Sequence, residues 1–392
     1  MKPSAPTIIL TGGGSGGHIT PLLSLARELK AQSPNCQIVY IGHKGDNFDT
    51  FRESGHDFDF MAFIKAGKLR RYYGKPFGGL LYPRTLALNL MDIARFPGSV
   101  MAARRLLKKF QPNVVFSKGG FVAVPVGLAA KFSNIPIITH DSDSMPGLAN
   151  RVVGRWAKVH ATGLPADYYP YKKRSTVQVG VPIDKRIKKV TPKIQAAVKA
   201  KLKLPKDSTV LLVSGGGNGS KRLNDLTLAI APELLESYLS LFVIHITGPL
   251  HEAQIQAAYK NLPKAVQGRV VAVGYSQDFH AYCAAADLVI TRAGATTLAE
   301  LAAAGKACIV IPAPFLSGGH QLKNTQQLEA GDAAVILPNE VEPDELMVTI
   351  RSLLSNDGRR FELARNLFGL AVTDASARLA KLILETATTK QT

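Results

Sequence analysis

The sequence predicts an α/β protein built from two doubly wound parallel sheets, and three observations lead to this prediction. A short aliphatic run leads into a glycine-rich turn and then a helical pattern at residues 7–31, and the same order returns from residue 209. Aliphatic runs alternate with helical stretches through both halves, which is typical of a parallel sheet covered by helices on its two faces. The length of 392 residues, 46% of them hydrophobic, fits two domains that each bury a core.

The first half opens with a predicted strand at 7–11 and the loop Gly12-Gly13-Gly14-Ser15-Gly16-Gly17-His18. A helix is predicted over residues 21–31, and Pro21 suits its first turn. The apolar residues of this helix repeat at helical spacing on one face: Leu22, Leu25, Ala26 and Leu29. Further strands are predicted at 37–41, 114–117 and 136–140.

The second half repeats this order with a strand at 209–213, a glycine-rich loop at 214–220 and a helix at 223–235. More strands are predicted at 241–247, 288–291 and 307–312. Between the halves, residues 163–182 hold three prolines and three tyrosines, so we predict a hinge there. Two doubly wound units would place their ligands at the carboxyl ends of the strands, in a cleft between the units.

The first glycine loop satisfies the dinucleotide-binding pattern G-x-G-x-x-G through Gly12, Gly14 and Gly17. The second strand, however, ends in Tyr40-Ile41-Gly42-His43, without the acidic residue that would hold a ribose, so NAD is disfavoured. Neither glycine loop is followed by G-K-[ST], which excludes a Walker A motif. Two interpretations are left: a diphosphate site at a helix N-terminus, or tight turns without a ligand.

A third segment favours a nucleotide-sugar ligand. The run Thr291-Arg292-Ala293-Gly294-Ala295-Thr296-Thr297 ends a strand and opens a helix that carries Glu300. A carboxylate about one turn into such a helix can accept from two ribose hydroxyls. The later turn Gly318-Gly319-His320-Gln321 adds polar side chains that suit a sugar.

The formal charge of +19, from 48 Lys+Arg against 29 Asp+Glu, predicts a polyanionic partner. From Lys65 to Lys109 there are eleven basic residues and one acid, Asp92, with aromatic and aliphatic residues between them. This composition favours a surface that rests on an anionic membrane, although a solvated basic face over core leucines would read the same way. Nucleic acid is the rival partner, but no helix-turn-helix, zinc-finger or RRM signature supports it, so none is expected.

The remaining composition suggests a protein on the cytoplasmic side. The three cysteines, Cys36, Cys283 and Cys308, are scattered, so we expect reduced thiols rather than a disulfide framework or a zinc site. The N-terminal residues lack the apolar region of a signal peptide, and no stretch reaches the roughly 18 apolar residues of a spanning helix. A protein that is soluble or peripheral to the membrane is therefore predicted.

Taken together, the motifs resemble the MurG family of N-acetylglucosaminyltransferases of peptidoglycan synthesis. They lie in the family's order over almost the whole chain: the loop ending at His18, Ser117-Lys118-Gly119-Gly120-Phe121, Gly147-Leu148-Ala149-Asn150-Arg151, the run from Arg292 to Glu300, and His320-Gln321-x-x-Asn324. The resemblance implies a GT-B fold with two Rossmann-like domains facing a cleft. Residues 1–165 would form the acceptor and membrane-associating domain, joined by the C-terminal helix at 374–392. Residues 178–370 would bind the UDP-sugar donor.

The resemblance also implies the roles of individual residues in an inverting transfer from UDP-N-acetylglucosamine to lipid I on the cytoplasmic face of the membrane. His18 is the candidate general base, because imidazole titrates near working pH. No metal or cofactor is implied. The implied donor-binding residues are Gly217, Asn218, Tyr275, Ser276, Arg292, Gly294, Ala295, Thr296, Glu300, His320 and Gln321. The implied acceptor-binding residues are Ser15, Gly16, Gly17, Gly119, Gly120, Asp143 and Asn150.

Three positions depart from the family's pattern. The H-E-x-N motif reads His140-Asp141-Ser142-Asp143, the second glycine loop has Gly217 where the family has a serine, and Asp184 stands where an arginine is usual. Lys185 and Arg186 follow directly and could take that arginine's place after a small shift. Asp141-Ser142-Asp143 also spells the metal-binding D-x-D pattern, but in the half that would not hold the donor. These departures leave open a divergent glycolipid transferase that uses another UDP-sugar, a UDP-sugar 2-epimerase of similar architecture, or an inactive scaffold.

Overall fold

The computed structural model describes residues 5–13, 16–44, 57–68, 70, 82–316 and 319–389, with the backbone alone for residues 16–20. The chain divides into two compact units. The first consists of Met1–Ile183 together with Asp374–Thr392, and the second of Asp184–Thr373. The first unit therefore includes residues 166–177, which the sequence analysis left between its two domains.

The first unit contains a parallel sheet of seven described strands. They are β1 (Thr7–Thr11), β2 (Gln37–His43), β3 (Phe60–Ile64), β4 (Val114–Ser117), β5 (Ile137–Asp141), β6 (Val159–Thr162) and β7 (Thr176–Gln178). Their order across the sheet is β3-β2-β1-β4-β5-β6-β7. Strand β1 has Ile8, Ile9 and Leu10 fully buried, because helices cover both faces of the sheet.

Four helices lie between these strands in the described part of the first unit, before the C-terminal helix. They are α1 (Gly16–Gln32), α2 (Pro83–Phe110), α3 (Ala123–Phe132) and α4 (Leu148–Val153), with short 3₁₀ turns at Gly154–Trp156, Ala166–Tyr168 and Lys173–Ser175. Helix α1 begins earlier than predicted, so Pro21 lies inside the helix and not in its first turn. The missing proline N–H removes one hydrogen bond of the helix, and the apolar face beyond it keeps the helix on the sheet.

The second unit repeats the arrangement with a parallel sheet in the order β10-β9-β8-β11-β12-β13. Its described strands are β8 (Thr209–Ser214), β9 (Leu241–Ile246), β10 (Val270–Val273), β11 (Leu288–Thr291), β12 (Cys308–Val310) and β13 (Val335–Ile336). Its described helices are α5 (Pro192–Lys201), α6 (Lys221–Ser237), α7 (Glu252–Lys260), α8 (Lys264–Gln267), α9 (Phe279–Ala285), α10 (Ala295–Ala304), α11 (His320–Ala330), α12 (Pro343–Leu354) and α13 (Asp357–Gly369). The prediction of two doubly wound parallel sheets is confirmed.

The chain returns to the first unit in its last helix, α14 (Ala375–Thr388). Leu379, Ala380 and Ile383 of this helix are fully buried in the same core cluster as Leu22 and Leu25 of α1. The opposite face of the sheet carries a separate cluster, to which α2 and α3 contribute. The three cysteines are buried free thiols, as predicted.

In both sheets the order in which strands are added reverses at an equivalent strand, and the loops of the candidate site lie at these two points. The chain moves outwards from β1 to β3 and then returns to β4 on the other side of β1, and likewise from β8 to β10 and back to β11. Adjacent loops that leave such a pair of strands in opposite directions open a crevice at their carboxyl ends. The four loops singled out in the sequence follow β1, β4, β8 and β11.

Candidate active site

The glycine loop after β8 is shaped by backbone conformations that favour glycine. Gly216 and Gly219 have φ angles of +83° and +74°, and a Cβ at Gly219 would overlap the carbonyl oxygen of Thr247. Gly217 and Asn218 are exposed at the tip of the loop. The loop ends at Ser220, whose Oγ accepts from the Leu223 N–H at 3.4 Å and so caps α6.

Arg292 ties this loop to its neighbours. Its Nε donates to Ser220 Oγ at 2.9 Å, and its Nη1 donates to the Ile311 carbonyl at 2.9 Å and to Asn339 Oδ1 at 2.8 Å. The side chain is only 5% exposed, and burial lowers the pKa of the guanidinium to about 10. Arg292 therefore stays charged at neutral pH and joins the loops after β8, β11, β12 and β13.

The turn between β11 and α10 leaves the helix N-terminus without a side-chain cap. Gly294 occupies the N-cap position, and among the described residues no side chain caps the first turn of α10. The second turn of α11 supports this turn, because Asn324 Nδ2 donates to the Ala293 carbonyl at 2.9 Å. Gln321, predicted to contact the sugar, is buried, and its Oε1 accepts from the Ala313 N–H at 2.9 Å. His320 is the first residue of α11.

Glu300 lies in the second turn of α10, and no residue that the structure describes forms a hydrogen bond or an ion pair with its carboxyl group. Burial, followed by the nearby charge of Asp184, raises the pKa of Glu300 to about 8. Burial and the charge of Glu300 also raise the pKa of Tyr275, so these two predicted donor residues lie near each other. Tyr275 is half exposed, and the neighbouring Ser276 Oγ accepts from the Asp278 N–H at 3.0 Å.

Asp184 holds the arginine that follows it. Arg186 Nη2 lies 2.8 Å from Asp184 Oδ2, and its Nε donates to both carboxylate oxygens at 3.1 Å. The same Nη2 reaches the Gln277 carbonyl at 3.3 Å, beside Tyr275 and Ser276. The guanidinium of Arg186 therefore supports the 275–278 segment. The carboxylate of Asp184 is the charge that acts on Glu300.

The glycine turn after β4 meets the first glycine loop. Gly119 and Gly120 have φ angles of +95° and +81°, and a Cβ at Gly120 would overlap the carbonyl oxygen of Gly13. Ser117 Oγ accepts from the Gly119 N–H at 3.2 Å and donates to Asn150 Oδ1 at 2.9 Å. The loops after β1 and β4 thus lie together at the carboxyl edge of the first sheet.

Asn150 is a brace for this edge. It is 1% exposed, and its Nδ2 donates to the His140 carbonyl and to Asp141 Oδ1, both at 2.9 Å. Tyr171 Oη donates to the other oxygen, Oδ2, at 2.8 Å. Burial raises the pKa of Asp141. Both oxygens of Asp141 are therefore occupied by neutral donors.

His140 is a neutral imidazole. Burial, then the charge of Lys118, lowers its pKa to about 3, and its Nε2–H donates to the Gly180 carbonyl at 2.9 Å. The backbone carbonyl of Asp143, a predicted acceptor residue, accepts from Tyr169 Oη at 2.9 Å. Sequence reasoning missed Tyr169 and Tyr171 as parts of this site, although the tyrosines of the hinge segment were the signal that could have found them.

Part of the predicted acceptor site lies outside the described residues. Ser15 is not described, and Gly16 and Gly17 are the first residues of α1. His18 belongs to the first turn of α1, and its side chain is outside the described part of the chain.

Comparison with known families agrees with the two units. The model of the glycosyltransferase family 28 N-terminal domain matches residues 8–162, and the model of the family's C-terminal domain matches residues 210–379. The protein is therefore a two-domain glycosyltransferase with the GT-B fold.

Individual relatives narrow this class. A UDP-N-acetylglucosamine–N-acetylmuramyl-(pentapeptide) pyrophosphoryl-undecaprenol N-acetylglucosamine transferase of Halothermothrix orenii is 34% identical over 388 residues, which is 97% of this chain and 99% of the relative. The chain belongs to the MurG family.

Solved structures agree in fold. The crystal structure of MurG from Acinetobacter baumannii superposes with a TM-score of 0.68 at 24% identity, covering 97% of this chain and 99% of that one. A putative UDP-N-acetylglucosamine 2-epimerase from Listeria monocytogenes reaches a TM-score of 0.64 at 13% identity, covering 96% and 95%. Both likenesses show the fold alone, so it is the sequence identity to the transferases that disfavours the epimerase alternative.

Proposed function

We propose that this enzyme transfers N-acetylglucosamine from UDP-N-acetylglucosamine to the 4-hydroxyl of the muramoyl sugar of lipid I, forming lipid II. The transferase from Halothermothrix orenii carries this activity in its name. The observation that carries the proposal in this chain is the uncapped N-terminus of α10, with Glu300 one turn further along the same helix. A helix start with free N–H groups suits a diphosphate, and a carboxylate beside it suits a ribose.

The second unit is the donor unit in this proposal. The N-terminus of α10 at Gly294, Ala295 and Thr296 receives the diphosphate, because Ser220 already caps the competing helix α6. The exposed loop tip at Gly217 and Asn218 adds backbone N–H groups. Arg292 contributes its positive charge beside the loop, since its Nε and Nη1 already donate to protein oxygens.

Three further groups of residues contact the ribose, the uracil and the sugar of the donor. Glu300 accepts from the two ribose hydroxyls, and its lack of a described partner supports this role. The backbone at Tyr275 and Ser276 receives the uracil. His320 and Gln321 contact the sugar, and the bond between Gln321 Oε1 and the Ala313 N–H leaves the amide nitrogen of Gln321 as its contact group.

The first unit is the acceptor unit, and the reaction is a single inverting displacement. The muramoyl 4-hydroxyl attacks the anomeric carbon of N-acetylglucosamine while the bond from that carbon to the UDP oxygen breaks. The hydroxyl proton passes to His18, and UDP leaves with its new negative charge facing the N–H groups of α10. Ser15, Gly16 and Gly17, together with the glycine turn at Gly119–Gly120, receive the acceptor's pyrophosphate, with Asp143 and Asn150 beside them.

Transfer of labelled sugar from UDP-N-acetylglucosamine to a water-soluble lipid I analogue tests this proposal. His18→Ala should lower kcat by about 10²–10⁴-fold, the usual contribution of a general base, and leave the donor Kd unchanged. Transfer from UDP-glucose or UDP-galactose in preference to the N-acetylated donor would contradict the donor assignment. Release of an epimerised sugar without acceptor would indicate the epimerase reaction instead.

We further propose that α2 rests on the anionic cytoplasmic face of the membrane. The first half of α2 buries Thr85 and Asn89 and exposes apolar side chains: Leu86, Leu90, Met91 and Ile93, between 44% and 60% exposed. Basic residues lie along the same helix: Arg84, Arg95, Arg104, Arg105, Lys108 and Lys109. An apolar face beside basic side chains favours insertion at an anionic interface. Among the described residues, no helix is long and apolar enough to cross a membrane.

Flotation with liposomes tests the membrane proposal. The double variant Leu90→Ser/Ile93→Ser should lose binding to vesicles that contain anionic lipid. Leu239→Ser/Leu250→Ser is the matched control, because these leucines are 82% and 92% exposed but lie in the second unit. Equal binding by both double variants, or no preference of the wild type for anionic over neutral vesicles, would contradict the proposal.

A further inference from the structure

Lys118 is a buried ammonium group at the carboxyl edge of the first sheet, in the middle of the proposed acceptor site. It directly follows β4, precedes the left-handed Gly119 and Gly120, and is 6% exposed. Its Nζ donates to Ser142 Oγ at 2.9 Å, and no carboxylate of the described residues forms an ion pair with it. A buried charge without an ion-pair partner costs stability, so its presence calls for a use.

The charges near Lys118 indicate that use. Asp141 and Asp143 act on the ammonium in the direction that keeps it protonated, while burial, the larger effect, lowers the pKa of Lys118. The oxygens of Asp141 accept from Asn150 and Tyr171, which are neutral, so these bonds do not cancel its charge. Without Lys118, the carboxylates of Asp141 and Asp143 would determine the electrostatic potential at this edge.

A pyrophosphate at the same edge would then meet charge of its own sign. Repulsion between like charges is strong where water is excluded, and the buried side chains here leave little water to screen it. The glycine turn at Gly119 and Gly120 has the open backbone that a phosphate needs. The two carboxylates beside this turn would repel the anion if no cation lay near them. A cation under the turn removes this conflict even without touching the phosphate.

We propose that Lys118 is the positioning residue that makes the acceptor edge able to receive a pyrophosphate, by offsetting the carboxylates of Asp141 and Asp143. This inference rests on the proposed function. It concerns affinity for the acceptor, so donor binding in the second unit and the intrinsic chemical step should be independent of it. A residue that only supported Ser142 would act through shape, and its effect would not depend on the charge of Asp143.

The test compares Lys118→Met, which keeps the length of the side chain but removes its charge, with Lys118→Arg and with Lys118→Met/Asp143→Asn. The assay measures KM and kcat with the lipid I analogue and Kd for UDP-N-acetylglucosamine. Lys118→Met should raise the acceptor KM at least about tenfold, as expected for loss of one charge-assisted interaction, and leave the donor Kd unchanged. Lys118→Arg should keep most of the affinity, and the double variant should recover a large part of the loss.

Asp143→Asn alone keeps the proposal testable if Lys118→Met does not fold. It restores the amide that the family pattern has at this position, and it should lower the acceptor KM of the otherwise wild-type enzyme. An unchanged acceptor KM in folded Lys118→Met, or no recovery in the double variant, would overturn the inference while the wild type still makes product. Failure of the proposed function would look different, because the wild type itself would then transfer no sugar to the analogue.

Discussion

Replacing Glu300 by glutamine should make the free enzyme more stable and its donor binding weaker. The side chain keeps its size and loses only the ability to ionise. Burial, then Asp184, raises the pKa of Glu300 in the folded protein to about 8, against 4.5 for an ordinary glutamate. Between these two values the folded state holds a proton that the unfolded state has released. Stability from this group is therefore present below about pH 4.5 and is lost as the pH rises towards 8.

The size of the effect follows from the same two values. At pH 7 the glutamate is almost fully ionised in the unfolded state and mostly protonated in the folded state. The free energy of unfolding falls over the roughly 2.5 pH units between the unfolded pKa of 4.5 and pH 7. Each of these units corresponds to about 1.36 kcal/mol, so the loss of stability is at most about 3 kcal/mol. Glu300→Gln should recover part of that cost. For a unit of this size each kcal/mol shifts Tm by about 2–4 °C, so an increase of several degrees is expected at pH 7 and a smaller one at pH 5.

Donor binding should change in the opposite direction. In the proposed function the carboxylate is the form that accepts from two ribose hydroxyls, and with a pKa of about 8 only about 1% of Glu300 is ionised at pH 6 but about half at pH 8. The affinity of the wild type for UDP-N-acetylglucosamine should therefore rise over this range, by up to about fiftyfold if only the ionised form binds. The diphosphate of the sugar nucleotide does not titrate between these pH values, so the enzyme is the source of the change. Glu300→Gln should bind more weakly at pH 8, with a flat pH profile.

Thermal unfolding with and without donor, together with calorimetric titration from pH 6 to pH 8, measures both effects. Glu236→Gln is the control, because it removes an exposed carboxylate from α6 of the same unit. If Glu300→Gln were no more stable than the wild type at pH 7, the carboxylate would not be under strain in the free enzyme. If the variant retained wild-type donor affinity and pH dependence, Glu300 would not be the ribose acceptor.

Three more predictions concern the first unit, and each is measured as a change in its free energy of unfolding in urea. Gly120→Ala should cost about 2 kcal/mol or more, because its Cβ would overlap the Gly13 carbonyl at a φ of +81°. Gly98→Ala in α2, where a Cβ meets nothing within 4 Å, should be neutral or stabilising by about 1 kcal/mol; similar losses in both variants would contradict the geometry. Asn150→Ala should cost about 2–4 kcal/mol because it removes the acceptor of the Ser117 hydroxyl and the donor to the His140 carbonyl and to Asp141 Oδ1. Asn366→Ala, which loses one hydrogen bond at a half-buried position of the second unit, should cost about 1 kcal/mol or less. Because burial lowers the pKa of His140 to about 3, stability should fall below about pH 6.5 by up to about 1.36 kcal/mol per pH unit, and a wild-type slope in His140→Gln would contradict this origin.

The fold was predictable because it depends on patterns that are local in the sequence. Strands such as β4 and β11 were predicted at their observed bounds, since a short aliphatic run between turn residues suits a buried parallel strand. The start of α1 was predicted too late, because Pro21 is a helix-start signal and the glycines before it are poor helix formers. Tertiary packing of the apolar face overrides both local preferences.

The site was less predictable, because it depends on which side chains meet after folding. The sequence marked Arg292 as a residue beside the diphosphate loop, but only the structure shows its guanidinium bonded to Ser220, Ile311 and Asn339. The sequence could not indicate that Asp184 would form an ion pair with Arg186, or that burial and then the charge of Asp184 would raise the pKa of Glu300. The bond from Arg292 to Ser220 joins positions 72 residues apart, and the charge of Asp184 acts on a carboxyl group 116 positions further along the chain, so no local pattern encodes either effect.

The two units differ in how they hold a charged group ready for a ligand, and this difference follows from the signs of the groups. In the proposed function, the buried carboxyl group of Glu300 in the second unit, which has no described partner, accepts hydrogen bonds from neutral hydroxyls of the ligand, so the unfavourable burial of its charge is relieved on binding. In the first unit, the role that we propose for the ammonium group of Lys118, beside a glycine turn, is to offset nearby carboxylates, so that an approaching anion meets a favourable potential. Both arrangements cost stability in the free enzyme, and both costs decrease when the ligand binds. We therefore expect each ligand to stabilise its own unit by more than contact area alone would give, and the charge-removing variants of Glu300 and Lys118 to lose that excess.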